Sequence, residues 1–157
     1  MVKVLVSDNL AAEGLEVFRQ ADGIEVIEKP GVSPHELLEL IADVDGLAIR
    51  SGTKVTADVI DAAKNLRVIG RAGIGVDNVD VAAATARGIA VLNTPEGNNI
   101  TTAEHAIALL VALARHIPQA TASMKAGKWE KKKFQGMELY NRTLAVIGLG
   151  KIGRAHV

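Results

Sequence analysis

The sequence has 157 residues, of which 48% are hydrophobic and 23% charged, and its 18 basic and 18 acidic side chains leave no net charge. This composition is typical of a folded domain, and it provides no overall field to attract nucleic acid or an anionic membrane. Cysteine is absent, which excludes a disulfide framework and thiol catalysis. The apolar run at residues 106–114 is shorter than the roughly 18–20 residues of a membrane span. No signal peptide is recognisable, so we expect a cytoplasmic protein. From its charge and its short apolar run, we expect it to bind neither nucleic acid nor membrane.

Short β-branched runs alternate with amphipathic stretches over the first hundred residues, as in a parallel sheet with crossover helices. The predicted strands are residues 2–6, 24–27, 46–49, 66–69 and 89–92. The predicted helices between them are residues 11–20, 34–42, 57–64 and 79–86. The second helix begins with a capping box, Ser33 to Glu36, and the third follows Thr56 as its cap. This order predicts an α/β fold with a doubly wound, flavodoxin-like parallel sheet of the Rossmann type.

The pattern changes after about residue 95. A second capping box, Thr101 to Glu104, predicts a helix to residue 116 that is apolar nearly all round and should be buried on most sides. Pro118 ends it, and a shorter helix is predicted at residues 119–126. Residues 128–140 indicate a polar loop, and residues 143–147 a further strand.

A glycine-rich segment follows that last strand. Gly148, Gly150 and Gly153 form a G-x-G-x-x-G fingerprint, in which the glycines permit a tight turn, close approach of a pyrophosphate and close helix packing. The strand context favours a dinucleotide site over an ordinary strand–turn–helix. The acidic residue that would separate NAD from NADP is expected beyond Val157, so these residues leave the choice of cofactor open.

Two arginine-containing segments also follow predicted strands, where ligands of open α/β sheets bind. Gly70–Asn78 carries three glycines and Arg71, a pattern typical of outward-turned N–H groups that hold an anion. Arg50 and Ser51 end the preceding strand, so a ligand with two anionic groups would suit both segments. The same residues also suit a tight turn with a solvated arginine, in which Asp77 or Asn78 caps the next helix.

Residues 93–99 bring amide side chains, including that of Asn98, to the same edge, and they also have the composition of a hinge between domains. The four histidines are scattered without metal-binding spacing, and no metal site is expected. His105 is expected to be a hydrogen-bonded core group.

The chain resembles the D-isomer-specific 2-hydroxyacid dehydrogenase family over most of residues 46–154. The matching segments are RSGTKVTADVIDAA, GRAGIGVDNVD, VLNTPEGNN, ARHIPQATASMKAGKWEKKKF and LAVIGLGKIGR. RAGIGVDN and GLGKIGR are typical of the whole family. The Arg50-Ser51 pair and PQATASMKAGKWEKKKF resemble its members that oxidise D-3-phosphoglycerate.

This resemblance implies oxidation of D-3-phosphoglycerate to 3-phosphohydroxypyruvate with NAD, at the start of serine biosynthesis. It implies substrate binding by Arg50, Ser51, Arg71, Gly73, Ile74, Gly75 and Asn98. It implies cofactor binding by Ile74, Gly148, Gly150, Lys151, Ile152 and Gly153. Residues 1–95 would form a substrate-binding domain, and residues 96–157 the dimerisation helices and the first strand and turn of an NAD-binding domain. A homo-oligomer through the 101–116 helix is therefore expected.

The family's catalytic arginine, glutamate and histidine are expected beyond Val157, so no catalytic residue is assigned within this chain. The chain alone is expected to be inactive. Two alternatives stay open, a glyoxylate or hydroxypyruvate reductase and a non-catalytic dehydrogenase-like binding module. Arg50 favours a phosphorylated substrate. A contact of Lys131–Lys133 with a substrate phosphate across subunits is a further hypothesis that follows from the resemblance.

Overall fold

The computed structural model describes residues 1–156, which divide into two compact units, Met1–Gly97 and a second unit that begins at Asn98. The strands of the first unit are β1 Val2–Val6, β2 Ile24–Glu28, β3 Gly46–Ile49, β4 Val68–Arg71 and β5 Ala90–Asn93. Its helices are α1 Ala12–Gln20, α2 Pro34–Ile41, α3 Ala57–Ala62 and α4 Val81–Ala86. All strand pairs are parallel, in the order β2-β1-β3-β4-β5. This is the flavodoxin-like order, and it confirms the predicted fold class.

The sheet of the first unit is covered unequally on its two faces. Leu47 and Ile49 of β3 pack into a large aliphatic cluster with residues of α2, α3 and α4. Val6 and Ala48 face the other way, where Phe18 of α1 covers them. Every residue of β3 is buried, as expected for a central parallel strand with helices on both faces. The core therefore fixes the carboxyl ends of β1, β3 and β4 firmly at one edge.

In the first unit, the predicted cap residues Ser33 and Thr56 stand directly before their helices, whereas α4 has a different cap from the one expected. At α2 the Glu36 amide donates to Ser33 Oγ (3.3 Å) and the Ser33 amide to Glu36 Oε2 (2.9 Å), which confirms the capping box. Thr56 precedes α3, although its side chain accepts no capping hydrogen bond from residues 1–156. The α4 cap is Asp80, whose Oδ1 accepts from the Ala83 amide (2.9 Å), not Asp77 or Asn78. Asn78 is therefore available for other contacts.

The second unit contains α5 Asn99–Ala114, α6 Ile117–Lys125 and α7 Lys151–Arg154. The capping box predicted at Thr101 was wrong, because the Thr102 amide already donates to the Asn98 carbonyl (2.9 Å) and the helix has begun. His116 separates α5 from α6 in a left-handed conformation, with φ 52°. No single helix in the described part of the chain is long and apolar enough to cross a membrane; α5 and α6 reach that length only as a pair bent by 63°.

Two further expectations for the second unit were wrong. Only Ala103 and Ala114 of α5 are buried and Leu110 is half-buried, since α6 and α7 cover little of the helix. His105 and the other large apolar side chains of α5 are exposed. Residues 143–147 form no paired strand within residues 1–156, because the second unit offers this segment no neighbouring strand to accept its hydrogen bonds.

Candidate functional site

The predicted anion-binding residues of the first unit lie side by side at the carboxyl edge of the sheet. Ile49 of β3 pairs with Arg71 of β4, and Arg71 pairs with Asn93 of β5. Arg50 follows Ile49 directly, so Arg50, Arg71 and Asn93 come from three adjacent strands. Ligands of this fold class bind at this edge.

The Arg71 side chain is mostly buried, and it has an N–H donor that no described residue uses. Its side chain is only 12% exposed, and its ion pair with Asp77 is long, with 3.9 Å between Nη2 and Oδ1. Its Nε is buried and has no hydrogen-bond partner among residues 1–156. The guanidinium lies so close to Gly73 that a Cβ at that position would collide with it. A buried guanidinium with an unsatisfied N–H is well suited to bind an anion.

The loop at residues 73–75 has two hydrogen-bonded carbonyls, those of Gly73 and Ile74, and two free amides. The Thr94 amide donates to the Gly73 carbonyl (2.9 Å), and Asn93 Nδ2 donates to the Ile74 carbonyl (2.6 Å). The Gly73 amide donates to the Arg71 carbonyl (2.9 Å), whereas the amides of Ile74 and Gly75 donate no hydrogen bond within the described residues. Two backbone donors therefore remain available beside the Arg71 guanidinium.

Arg50 and Ser51 are exposed on the loop between β3 and α3. Asp8, two residues after the end of β1, accepts hydrogen bonds from this loop, and Asn78 donates to it. Neither residue was assigned to the site from the sequence. Asp8 could have been found, because it follows a strand on the same edge as Arg50; the Asn78 contacts depend on how two loops fold together.

The second unit contains the other predicted site residues. Gly148 has φ +94°, as a tight turn requires, and a Cβ at Gly153 would collide with the Gly148 carbonyl. A Cβ at Gly150 would meet no described atom within 4 Å, which leaves room for close approach of a phosphate. Lys151 and Ile152 begin α7 at this turn. Asn98 is the residue before α5.

Lys131–Lys133 are exposed in the irregular segment after α6. Lys133 lies over the Phe134 ring, 5.7 Å from its centroid, and 3.5 Å from Glu130 Oε1. The buried Ser123 hydroxyl lies 2.8 Å from Glu130 Oε2, and this hydrogen bond, aided by Lys133, holds the pKa of Glu130 below its usual range. Within residues 1–156 no three acidic or histidine side chains gather as a metal site requires.

Comparison with protein families defines the class. Residues 4–146 match the model of the D-isomer specific 2-hydroxyacid dehydrogenase catalytic domain. The chain belongs to this family.

One curated relative and two solved structures show which members of the family this chain is similar to. The D-3-phosphoglycerate dehydrogenase of Synechocystis sp. is 52% identical over 157 residues, which are 100% of this chain and 28% of that protein. The crystal structure of a protein from Thermus thermophilus matches with a TM-score of 0.90 and 36% identity, over 99% of this chain and 51% of that one. NAD-dependent formate dehydrogenase from Staphylococcus aureus in complex with NAD matches with a TM-score of 0.84 and 26% identity, over 99% and 52% of the two chains. The chain thus spans little more than a quarter of the curated relative.

Proposed function

We propose that this chain is the substrate-binding part, with the dinucleotide fingerprint, of an enzyme that oxidises D-3-phosphoglycerate to 3-phosphohydroxypyruvate with NAD. The observation that carries the proposal is the group formed by Arg50, the partly unsatisfied Arg71 and the free amides of Ile74 and Gly75 on one edge of the sheet. Similarity to the Synechocystis enzyme over all 157 residues supports the same substrate.

The substrate has two anionic ends, and the site offers two kinds of anion ligand. We propose that the free amides of Ile74 and Gly75 bind the carboxylate, since successive N–H groups can form a concave anion site. We propose that Arg71 and Arg50 bind the anionic groups through charge-assisted hydrogen bonds, assisted by Ser51. Asn98 is a proposed substrate contact on the family resemblance alone. An arginine fork binds phosphate in a bidentate manner, which favours a phosphorylated substrate over plain glycerate.

We propose that the turn from Gly148 to Gly153 binds the dinucleotide pyrophosphate, which the positive φ of Gly148 and the open space beside Gly150 support. Ile74 is a proposed cofactor contact on the family resemblance alone. When bound, NAD accepts the hydride that leaves C2 of the substrate. The residues of this chain bind and orient the substrate, and we assign none of them as the base that takes the hydroxyl proton.

A chimera tests this proposal. This 157-residue chain replaces the matching segment of the Synechocystis protein, and NADH formation is followed at saturating NAD. We expect kcat/KM for D-3-phosphoglycerate to exceed that for D-glycerate by about tenfold or more, because charge-assisted hydrogen bonds to the phosphate are worth about 1.5–3 kcal/mol. The 157-residue chain alone serves as the negative control and should form no NADH. Equal use of glycerate, or faster reduction of glyoxylate, would contradict the proposal.

The exposed apolar side chains of α5 support a proposed homo-oligomer of the second unit. Ile100, Leu109 and Leu113 are 69%, 57% and 72% exposed, more than a solvated helix surface normally leaves open. We propose that a second copy covers them. Light scattering of the chain and of Leu109→Asp should show a dimer or larger species that the variant loses; equal masses would contradict this.

We also propose that the enzyme acts in the cytoplasm and begins serine synthesis. The chimera should then restore growth of a serine auxotroph that lacks its own phosphoglycerate dehydrogenase, and growth only with added serine would contradict this.

A further inference from the structure

The loop at residues 50–53 has no apolar anchor at its outer end, although it carries Arg50 and Ser51. Both residues are exposed, and Gly52 has no side chain. Such a polar loop would sample many conformations unless hydrogen bonds fixed its backbone. In this chain, four backbone groups of Arg50 and Thr53 are bound by just two side chains, Asp8 and Asn78.

Asp8 holds the loop from the side of β1. Its Oδ2 accepts from the Arg50 amide at 2.6 Å and from the Thr53 amide at 3.1 Å. Hydrogen bonds to a carboxylate are among the stronger ones in proteins. A Cβ at Gly52 would lie 2.5 Å from Asp8 Oδ1, so glycine at this position lets the carboxylate reach under the loop.

Asn78 holds the same two residues from the opposite side. Its Nδ2 donates to the carbonyls of Arg50 and Thr53, each at 2.7 Å. The reversed amide would place its oxygen against both carbonyls, so these contacts define its orientation. The Val55 amide also donates to the Asn78 carbonyl (2.8 Å).

Asn78 also joins the two anion-binding loops. It comes three residues after Gly75 on the loop that leaves β4, and it is bonded to the loop that leaves β3. A shift of the Arg50 loop relative to the Ile74 and Gly75 amides would therefore require breaking the Asn78 contacts. Displacements of about 1 Å in a binding group can cost roughly 100-fold in rate.

We propose that Asp8 and Asn78 are positioning residues, which set the distance between the Arg50 loop and the amides of residues 74–75 and thereby the affinity for a two-ended anion. The inference rests on the proposed substrate site. Neither side chain is required to touch the substrate; each acts through the backbone of residues 50–53.

The test uses Asn78→Leu and Asp8→Ala in the full-length chimera, with Asn65→Leu as the matched control. Asn65 is exposed and lies before the amino end of β4, away from the carboxyl ends of the strands that carry the site. The control makes the same Asn-to-Leu change as Asn78→Leu, and neither change alters the charge. We expect Asn78→Leu and Asp8→Ala to raise the KM for D-3-phosphoglycerate by about tenfold or more, with a smaller change in kcat, because a displaced loop weakens substrate binding first. Asn65→Leu should leave KM unchanged.

A merely structural role gives a different result. Loss of folded protein lowers the apparent kcat and the melting temperature but leaves the KM of the remaining folded molecules as it was. Asp8→Asn, which keeps an oxygen that can accept from the loop amides, should restore much of the affinity.

The outcomes separate the two proposals. An unmodified chimera that does not oxidise phosphoglycerate contradicts the proposed function. An active chimera whose Asn78→Leu and Asp8→Ala variants both keep KM within about twofold overturns the positioning role alone, and Asn78→Leu decides the matter by itself where Asp8→Ala does not fold.

Discussion

The buried hydroxyl pair of Ser7 and Thr53 provides a quantitative test of how the loop at residues 50–53 is held. Ser7 Oγ lies 2.8 Å from Thr53 Oγ1, and the two residues are 0% and 8% exposed. Removing one hydroxyl leaves the other without a partner in the core, at a cost of about 1–3 kcal/mol. We expect Thr53→Val to cost more, because Ser7 has no exposure through which water could satisfy it.

The double variant Ser7→Ala/Thr53→Val should lose much less free energy of unfolding than the two single variants lose together, because it leaves no unpaired hydroxyl in the core. The expected coupling is about 1–2 kcal/mol. Urea unfolding should be followed by circular dichroism, because the single Trp and single Tyr, at positions 129 and 140, lie in the second unit and do not report on the first. Single-variant costs that add up to the cost of the double variant would refute this reasoning.

Three further predictions concern separate parts of the chain. A backbone hydrogen bond from Ser33, reinforced by the Ser33 hydroxyl, lowers the pKa of Glu36. The Glu36 carboxylate therefore stabilises the folded state fully above the unfolded carboxyl pKa of about 4.3. This stabilisation is lost as the pH falls through the lower pKa of the folded state. Glu36→Gln should therefore reduce the loss of urea resistance on acidification, and an identical acid profile would count against the capping box. Because His116 has φ 52°, His116→Gly should stabilise the second unit by about 0.5–1 kcal/mol, measured by Trp129 fluorescence on heating; a lower melting temperature would contradict it. Gly136→Ala would place a Cβ 2.5 Å from the Ala114 carbonyl oxygen and should destabilise the second unit. Gly127→Ala is the control, because φ is also positive there but the added Cβ would meet no described atom within 4 Å. Gly136→Ala should lower the melting temperature more than the control, and equal effects would refute the steric argument.

Local sequence patterns were sufficient for the elements of the first unit. The alternation of β-branched and amphipathic segments, with the capping box at Ser33, predicted the five strands and their order along the chain. It succeeded because hydrophobic period and helix caps act over a few residues. The same reasoning placed Arg50 and Arg71 on one edge, since the carboxyl ends of parallel strands meet there. It misplaced the start of α5, because Thr101 and Glu104 satisfy the capping pattern equally well inside a helix.

Tertiary structure decided what these elements contact. The strand predicted at residues 143–147 and the burial of α5 both depend on neighbouring elements, and a sequence pattern cannot show whether those neighbours are present. The hydrogen bonds of Asp8 and Asn78 to one loop likewise join residues far apart in the chain. The end of β1 indicates that Asp8 lies at this edge, but no local signal predicts which backbone groups the two side chains bind. The sequence by itself determined the fold class and which charged groups share an edge, while only the folded chain decided which donors are already used and which remain free for a ligand.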